Sequence, residues 1–147
     1  MDNDLKMLLS SKKNILEEIK QTTCEIGKAF EEEDIEQALK LLKLRKKQMD
    51  EVDGLDGKAL SACSGDSATL LRNIETDGEL KNIFEDIRVI LKEIKEKDGE
   101  NIKKAEMLKA QLSGDIADLK HTKRALKGYG VIETRQSRFG AFIDTKK

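Results

Sequence analysis

Residues 97–101 read "KDGEN" and stand between two apolar stripes of the same kind. Upstream, Leu80, Ile83, Ile87, Ile90 and Ile94 recur at three- and four-residue steps, with Phe84 and Leu91 widening the band. Downstream, Ile102, Ala105, Leu108, Leu112, Ile116, Leu119 and Leu126 repeat the steps. That spacing belongs to an amphipathic helix. The fold turns on whether residues 97–101 interrupt it. A glycine inside a helix costs about 1 kcal/mol relative to alanine. The flanks are strong helix formers, however, and the chain has no proline. The expectation is one continuous helix over about 79–127, with Gly99 as its one candidate bend. A break at Gly99 would instead let the two halves fold into a compact four-helix bundle. Thr76 and Glu79 have capping-box spacing at the start, and Gly128 and Gly130 supply the stop.

Working back from that helix, the pattern changes. "SATLLRNIE" suggests a short helix over 67–75, with Leu70, Leu71 and Ile74 inward. Gly54, Gly57 and Gly65 mark a loop holding at most a brief turn near Ala59 and Leu60. Before it, Ile35, Ala38, Leu42, Met49 and Val52 predict a helix over 34–53, opened by Asp34 and Gln37 at capping-box spacing. Leu5, Leu9, Lys12, Leu16, Ile19, Thr23, Ile26 and Phe30 alternate steps of four and three over 2–30. This is a heptad seam with Lys12 and Thr23 as its polar exceptions. The short "EEED" joint makes the first two helices an antiparallel hairpin.

The expected architecture is all-α: an antiparallel helical hairpin packed on a long C-terminal helix, a coiled-coil-like bundle of three to four helices. Residues 1–128 form the bundle and 129–147 a flexible tail. At about 1.5 Å per residue the long helix spans roughly 75 Å and the first helix only roughly 40 Å. The hairpin therefore cannot cover both stripes of the long helix, and some apolar surface needs a second copy, a partner or the chain's own tail.

Composition narrows the function. The 28 basic and 29 acidic residues nearly cancel, so no overall field draws the chain to nucleic acid or membrane. No apolar run approaches the eighteen or so residues of a membrane span, and the acidic start does not read as a signal peptide. Two distant cysteines, Cys24 and Cys63, fit a reducing cytoplasm. With the single histidine, His121, they show no zinc-ligand spacing. "SGDSA" lacks the glycines and Lys-Ser/Thr of a phosphate loop. Nearly every carboxylate has a Lys or Arg three or four residues away, which describes a solvated ion-pair face. No catalytic constellation and no cofactor are expected. Lys40, Lys43, Arg45, Lys46 and Lys47 form a basic cluster, yet it adjoins acidic residues and no nucleic-acid module accompanies it.

Helical hairpin, long helix and aromatic-bearing tail together resemble the bacterial flagellar type III export chaperones of the FlgN and FliT type. "AFEEEDIEQALKLLKLRKKQMDEV" is similar to the family stretch in which an acidic turn precedes a leucine-rich helix with a central Arg, here Arg45. "LKEIKEKDGENIKKAEMLKAQL" resembles the long helix, with Asp98, Glu100 and Asn101 in its Asp-x-Glu-Asn run. Gly99 departs from the usual Asp-Lys-Glu-Asn style there. The end, "KRALKGYG…SRFGAFIDTKK", resembles the family's closing pattern through Gly128, Tyr129, Phe142, Ile143, Asp144, Lys146 and Lys147. This tail is the most specific part of the resemblance, because any coiled coil shares the helical parts.

The resemblance implies a cytoplasmic, non-enzymatic chaperone. It would hold the terminal segments of hook-filament junction or filament-cap proteins and deliver them to the membrane-bound export gate. A client's amphipathic helix needs an apolar groove at three-four spacing, and Ile102, Ala105, Leu108, Leu112, Ile116 and Leu119 are the candidates. The plainer alternative is that this stripe is core against helix one or a homodimer mate. Tyr129 matches the tyrosine implicated in gate docking; alternatively it packs back on its helix. Phe139, Phe142 and Ile143 are candidates for a reversible cover of the groove. A structural or regulatory coiled-coil scaffold is the competing class, and a nucleic-acid-associated helical protein a third.

Overall fold

A computed structural model describes residues 2–122, all of them in or between four α-helices: α1 (Asp2–Glu31), α2 (Ile35–Ala62), α3 (Ser67–Thr76) and α4 (Gly78–Thr122). The helix through "KDGEN" is continuous. Gly99 faces solvent, where a Cβ would meet nothing within 4 Å. The expected continuation to 127 and the tail over 129–147 lie outside the described residues.

The ion pairs between α1 and α4 give the register. Lys6 meets Glu79 at 3.0 Å, Lys13 meets Asp86 at 2.9 Å, and Lys20 meets Glu93. Each acid lies 73 positions after its base. The bases are one heptad apart, so α1 and α4 run parallel at constant offset. Glu31 and Lys104, at 2.6 Å, keep the offset with the charges reversed. Between α1 and α2 the sense is opposite: Lys12 pairs with Asp56 at 2.7 Å, and Thr22 lies 3.0 Å from Gln48. Helix α2 thus ends beside the start of α1, and short α3, packed on α4, joins it to the start of α4 at that same end.

Two apolar clusters fill the bundle. The first joins Leu5, Leu9, Leu16 and Ile19 of α1 to Leu80, Ile87, Ile90 and Ile94 of α4, with Ala59, Cys63 and Ile74 from the connecting elements. The second joins Ile26, Ala29 and Phe30 to Ala38, Leu41 and Leu42 and to Ala105 and Leu108. Every seam position expected for α1 is buried except Lys12, which reaches out to Asp56.

Three boundaries differ from the sequence-based expectation. Helix α2 does not stop at residue 53 but runs on to Ala62. Gly54 and Gly57 lie on its open side, with nothing within 4 Å of a Cβ. The burial of Ala59 and Cys63 offsets their poor propensity, and the loop shrinks to the turn before Ser67. Helix α4 is capped by Asp77, not Thr76. The Asp77 carboxylate accepts from the N–H groups of Glu79 (3.0 Å) and Leu80 (3.3 Å), while the Thr76 hydroxyl donates to Arg72 O inside α3. At Asp34 only half of the expected capping box is seen, the Gln37 N–H donating to the carboxylate at 3.1 Å. There the chain leaves α1 through Glu33 at φ 58, with Asp34 N–H bonded to Ala29 O and Glu33 N–H to Phe30 O. This is a Schellman turn closed by a residue other than glycine.

Gly27 differs from the other helical glycines. A Cβ there would lie 2.5 Å from Asn101 Oδ1. Gly27→Ala should therefore destabilise the protein by about 1–3 kcal/mol through overpacking. Gly54→Ala, Gly57→Ala and Gly99→Ala should each stabilise it by about 0.5–1 kcal/mol. Urea denaturation of the four variants checks the contrast, and stabilisation by Gly27→Ala would contradict the packing described.

The caps also set an acid limit. The Thr69 hydroxyl, followed by the Ala68 N–H, holds the Asp66 carboxyl below the usual range. Burial pushes Asp77 up, but the N–H groups of Leu80 and Glu79 together with Lys6 more than reverse this, and the net direction is down. A carboxyl that ionises more readily when folded adds stability above its unfolded value, about 3.9. That stability is lost as pH falls through the lower folded value. Melting temperature should fall between about pH 4 and pH 2, and less steeply in the Asp66→Asn/Asp77→Asn variant. Parallel curves for the two proteins would remove the caps from the acid response.

Candidate functional site

Midway along each long helix the apolar seam gives way to polar residues, and these polar positions meet. In α2 the three-four series Ala38, Leu42, Met49 and Val52 passes through Arg45. In α4 the residue four beyond Ile94 is Asp98, and three further on is Asn101. In α1 the break is Thr23. Arg45 is 7% exposed. It forms a bidentate pair with Asp98, Nη2 lying 2.7 Å from Oδ2 and Nη1 closing the second bond to Oδ1. Asn101 is equally buried and donates from Nδ2 to the Thr23 carbonyl at 2.8 Å. The Thr23 hydroxyl donates to Ile19 O at 2.7 Å. Thr22 Oγ1 lies 3.0 Å from both Glu18 O and Gln48 Oε1, and its single proton serves one at a time. This polar layer separates the two apolar clusters. Its one defect is Arg45 Nε, which is buried without a partner. A donor left so costs about 1–3 kcal/mol.

On the α1 N-terminal side of the Arg45–Asp98 clasp the walls of α2 and α4 part. An open cleft of about 290 Å³ lies between them. Leu16 and Ile19 of α1 form its floor, Met49 and Val52 its α2 wall, and Leu91 and Ile94 its α4 wall. Asp53 stands on the α2 rim and Lys95 on the α4 rim. Leu91 is 44% exposed, a large apolar side chain without cover at the edge of an apolar cleft.

Comparison with protein-family models, curated proteins and solved structures finds no match to this chain.

The stripe expected to hold a client is divided by the fold. Ala105 and Leu108 are 1% and 4% exposed, packed into the second cluster by α1 and α2 of the same chain. They are core, not an open groove. The α1 C-terminus reaches Lys104 through the 73-residue offset, and the start of α2 covers the next two turns. Ile102 and Leu112 are half-buried, Leu112 against the same cluster, and Ile116 is buried. The Leu119 side chain, Tyr129, Phe139, Phe142 and Ile143 lie outside the described residues. Cys24 and Cys63 are free thiols, and no group of residues able to hold a metal ion occurs among the described residues. Among them, too, no helix is long and apolar enough to cross a membrane.

Breaking the clasp should be costly. Asp98→Ala leaves the Arg45 guanidinium buried and unpaired. A fully buried pair broken this way loses roughly 3–5 kcal/mol. Asp98 retains 32% side-chain exposure, so the expected loss is about 2–3 kcal/mol by urea denaturation. Arg45→Met combined with Asp98→Leu should recover most of it. A double variant no more stable than Asp98→Ala would refute the assignment of the cost to the stranded charge.

Proposed function

We propose that this chain is a non-enzymatic chaperone that holds an amphipathic helical segment of a partner protein. On this reading an antiparallel hairpin, α1 with α2, is seated on the long α4, and the space where a fourth long helix of a bundle would pack is offered to the partner. The observation that carries the reading is the open apolar cleft between α2 and α4, floored by Leu16 and Ile19 and edged by the exposed Leu91. Grooves of this kind take a helix through side chains at i, i+3/i+4 and i+7. The lining residues span about two helical turns, or roughly 11 Å, which is the length of one such row.

The resemblance to the flagellar export chaperones supplies the partner class. The clients are terminal segments of hook-filament junction or filament-cap proteins, kept from premature assembly in the cytoplasm and delivered to the export gate. Tyr129 is the proposed gate contact, and Phe139, Phe142 and Ile143 the proposed groove cover. Relative to the sequence-based expectation, the client seat moves toward the N-terminal half of α4.

The test is size-exclusion chromatography with light scattering of the full chain, mixed with the terminal segments of junction and cap proteins from the same genome. A defined stoichiometric complex is expected with one of them. Leu91→Lys should weaken it at least tenfold, as expected for a charge introduced into a desolvated contact. Val89→Lys should not, since Val89, 56% exposed, does not line the cleft. Self-association without any such complex would favour the scaffold class and overturn the chaperone reading.

A further inference from the structure

The two rims of the cleft carry opposite charges that do not meet. Asp53 on α2 and Lys95 on α4 both line it. Both are exposed, and neither has an ion pair among the described residues. The ladder charges of α1 and α4, by contrast, all meet opposite charges, Lys6 meeting both Asp77 and Glu79, and Arg45 and Asp98 are matched at one end of the cleft. A helix lying between α2 and α4 would place one flank of its apolar row against each rim.

From this arrangement we infer that the cleft selects an amphipathic helix whose apolar row is flanked by an acidic side chain on the α4 side and a basic one on the α2 side, and that these two charges fix the direction in which the helix lies. The inference rests on the chaperone reading and adds the chemistry of the partner. The direction follows from chirality. A right-handed helix with an acid on one flank and a base on the other can match both rims in only one orientation, because turning it end for end exchanges the flanks. Like charges on both flanks would put one of them against its own sign. Partner helices of this composition are distinguished from simple hydrophobic ligands, which the apolar floor alone would accept.

Four synthetic helical peptides serve as probes. They share one leucine row at i, i+3, i+7 and i+10 and carry flanks of Glu/Lys, Glu/Glu, Lys/Lys or Gln/Gln. Affinity for the full chain is read by fluorescence anisotropy at low salt. The Glu/Lys peptide should bind about three- to tenfold tighter than Gln/Gln, the range two exposed ion pairs provide. The like-charged peptides should fall below it. In Lys95→Glu, where both rims are acidic, Lys/Lys should become the tightest. In 1 M salt the differences should collapse, since the screening length there is about 3 Å. The same ranking in both proteins would overturn the flank assignment while leaving the cleft as a seat. Binding of none of the four would overturn the cleft and the flanks together. A mass of twice the chain that Leu91→Lys abolishes would give the cleft to a second copy and overturn the assignment.

Discussion

Asn101 of α4 reaches the backbone of α1 because residue 27 has no side chain. An apolar seam alone tolerates a shift of one heptad, since every step repeats the same chemistry. The amide on Thr23 O does not, because it needs a residue without Cβ beside it. The rest of the α1–α4 contact inherits this register, from the ladder at Lys6, Lys13 and Lys20 to the reversed pair at Glu31. So does the position of the cleft, because the same offset sets Leu16 and Ile19 beneath Leu91 and Ile94.

The layer that specifies register also costs stability. A buried ion pair is weak evidence for a stable core, since apolar residues of similar volume often do as well or better. Arg45 adds an unpartnered Nε to that cost. What the clasp supplies is a link between α2 and α4, at one end of the cleft. The second cluster takes its side chains from three helices, α1, α2 and α4. Beside the first, the cleft lies between α2 and α4, and the α1 side chains at its floor, Leu16 and Ile19, are themselves buried. The polar layer thus stands between the second cluster and the cleft.

Much of this was legible in the chain itself. The α1 seam is buried position by position because a heptad pattern depends only on local spacing. Continuity through Gly99 was legible because one exposed glycine costs about 1 kcal/mol, less than the packing on either side supplies. The end of α2 was not, because Gly54 and Gly57 have the local chemistry of a break and only the tertiary burial of Ala59 and Cys63 overrides it. The partnership of Arg45 with Asp98 was hidden by a separation of 53 residues. Its trace was present all the same, as charged residues at positions where the three-four series calls for apolar ones. That Ala105 and Leu108 are core was legible only as an alternative, because helix lengths alone leave the offset between helices open. Once α1 is set 73 residues behind α4, its end and the start of α2 cover Ala105 and Leu108.

The parallel pairing of α1 with α4 has a consequence for how the protein is made. A ribosome adding roughly 5–20 residues per second needs roughly 4–15 s to supply the residues lying 73 positions downstream. For that interval α1 can find α2 but not α4. The side of the seam that later meets Leu80, Ile87, Ile90 and Ile94 stays bare on the nascent chain. The protein would thus pass through a stage at which the apolar seam of its own first helix is only half covered.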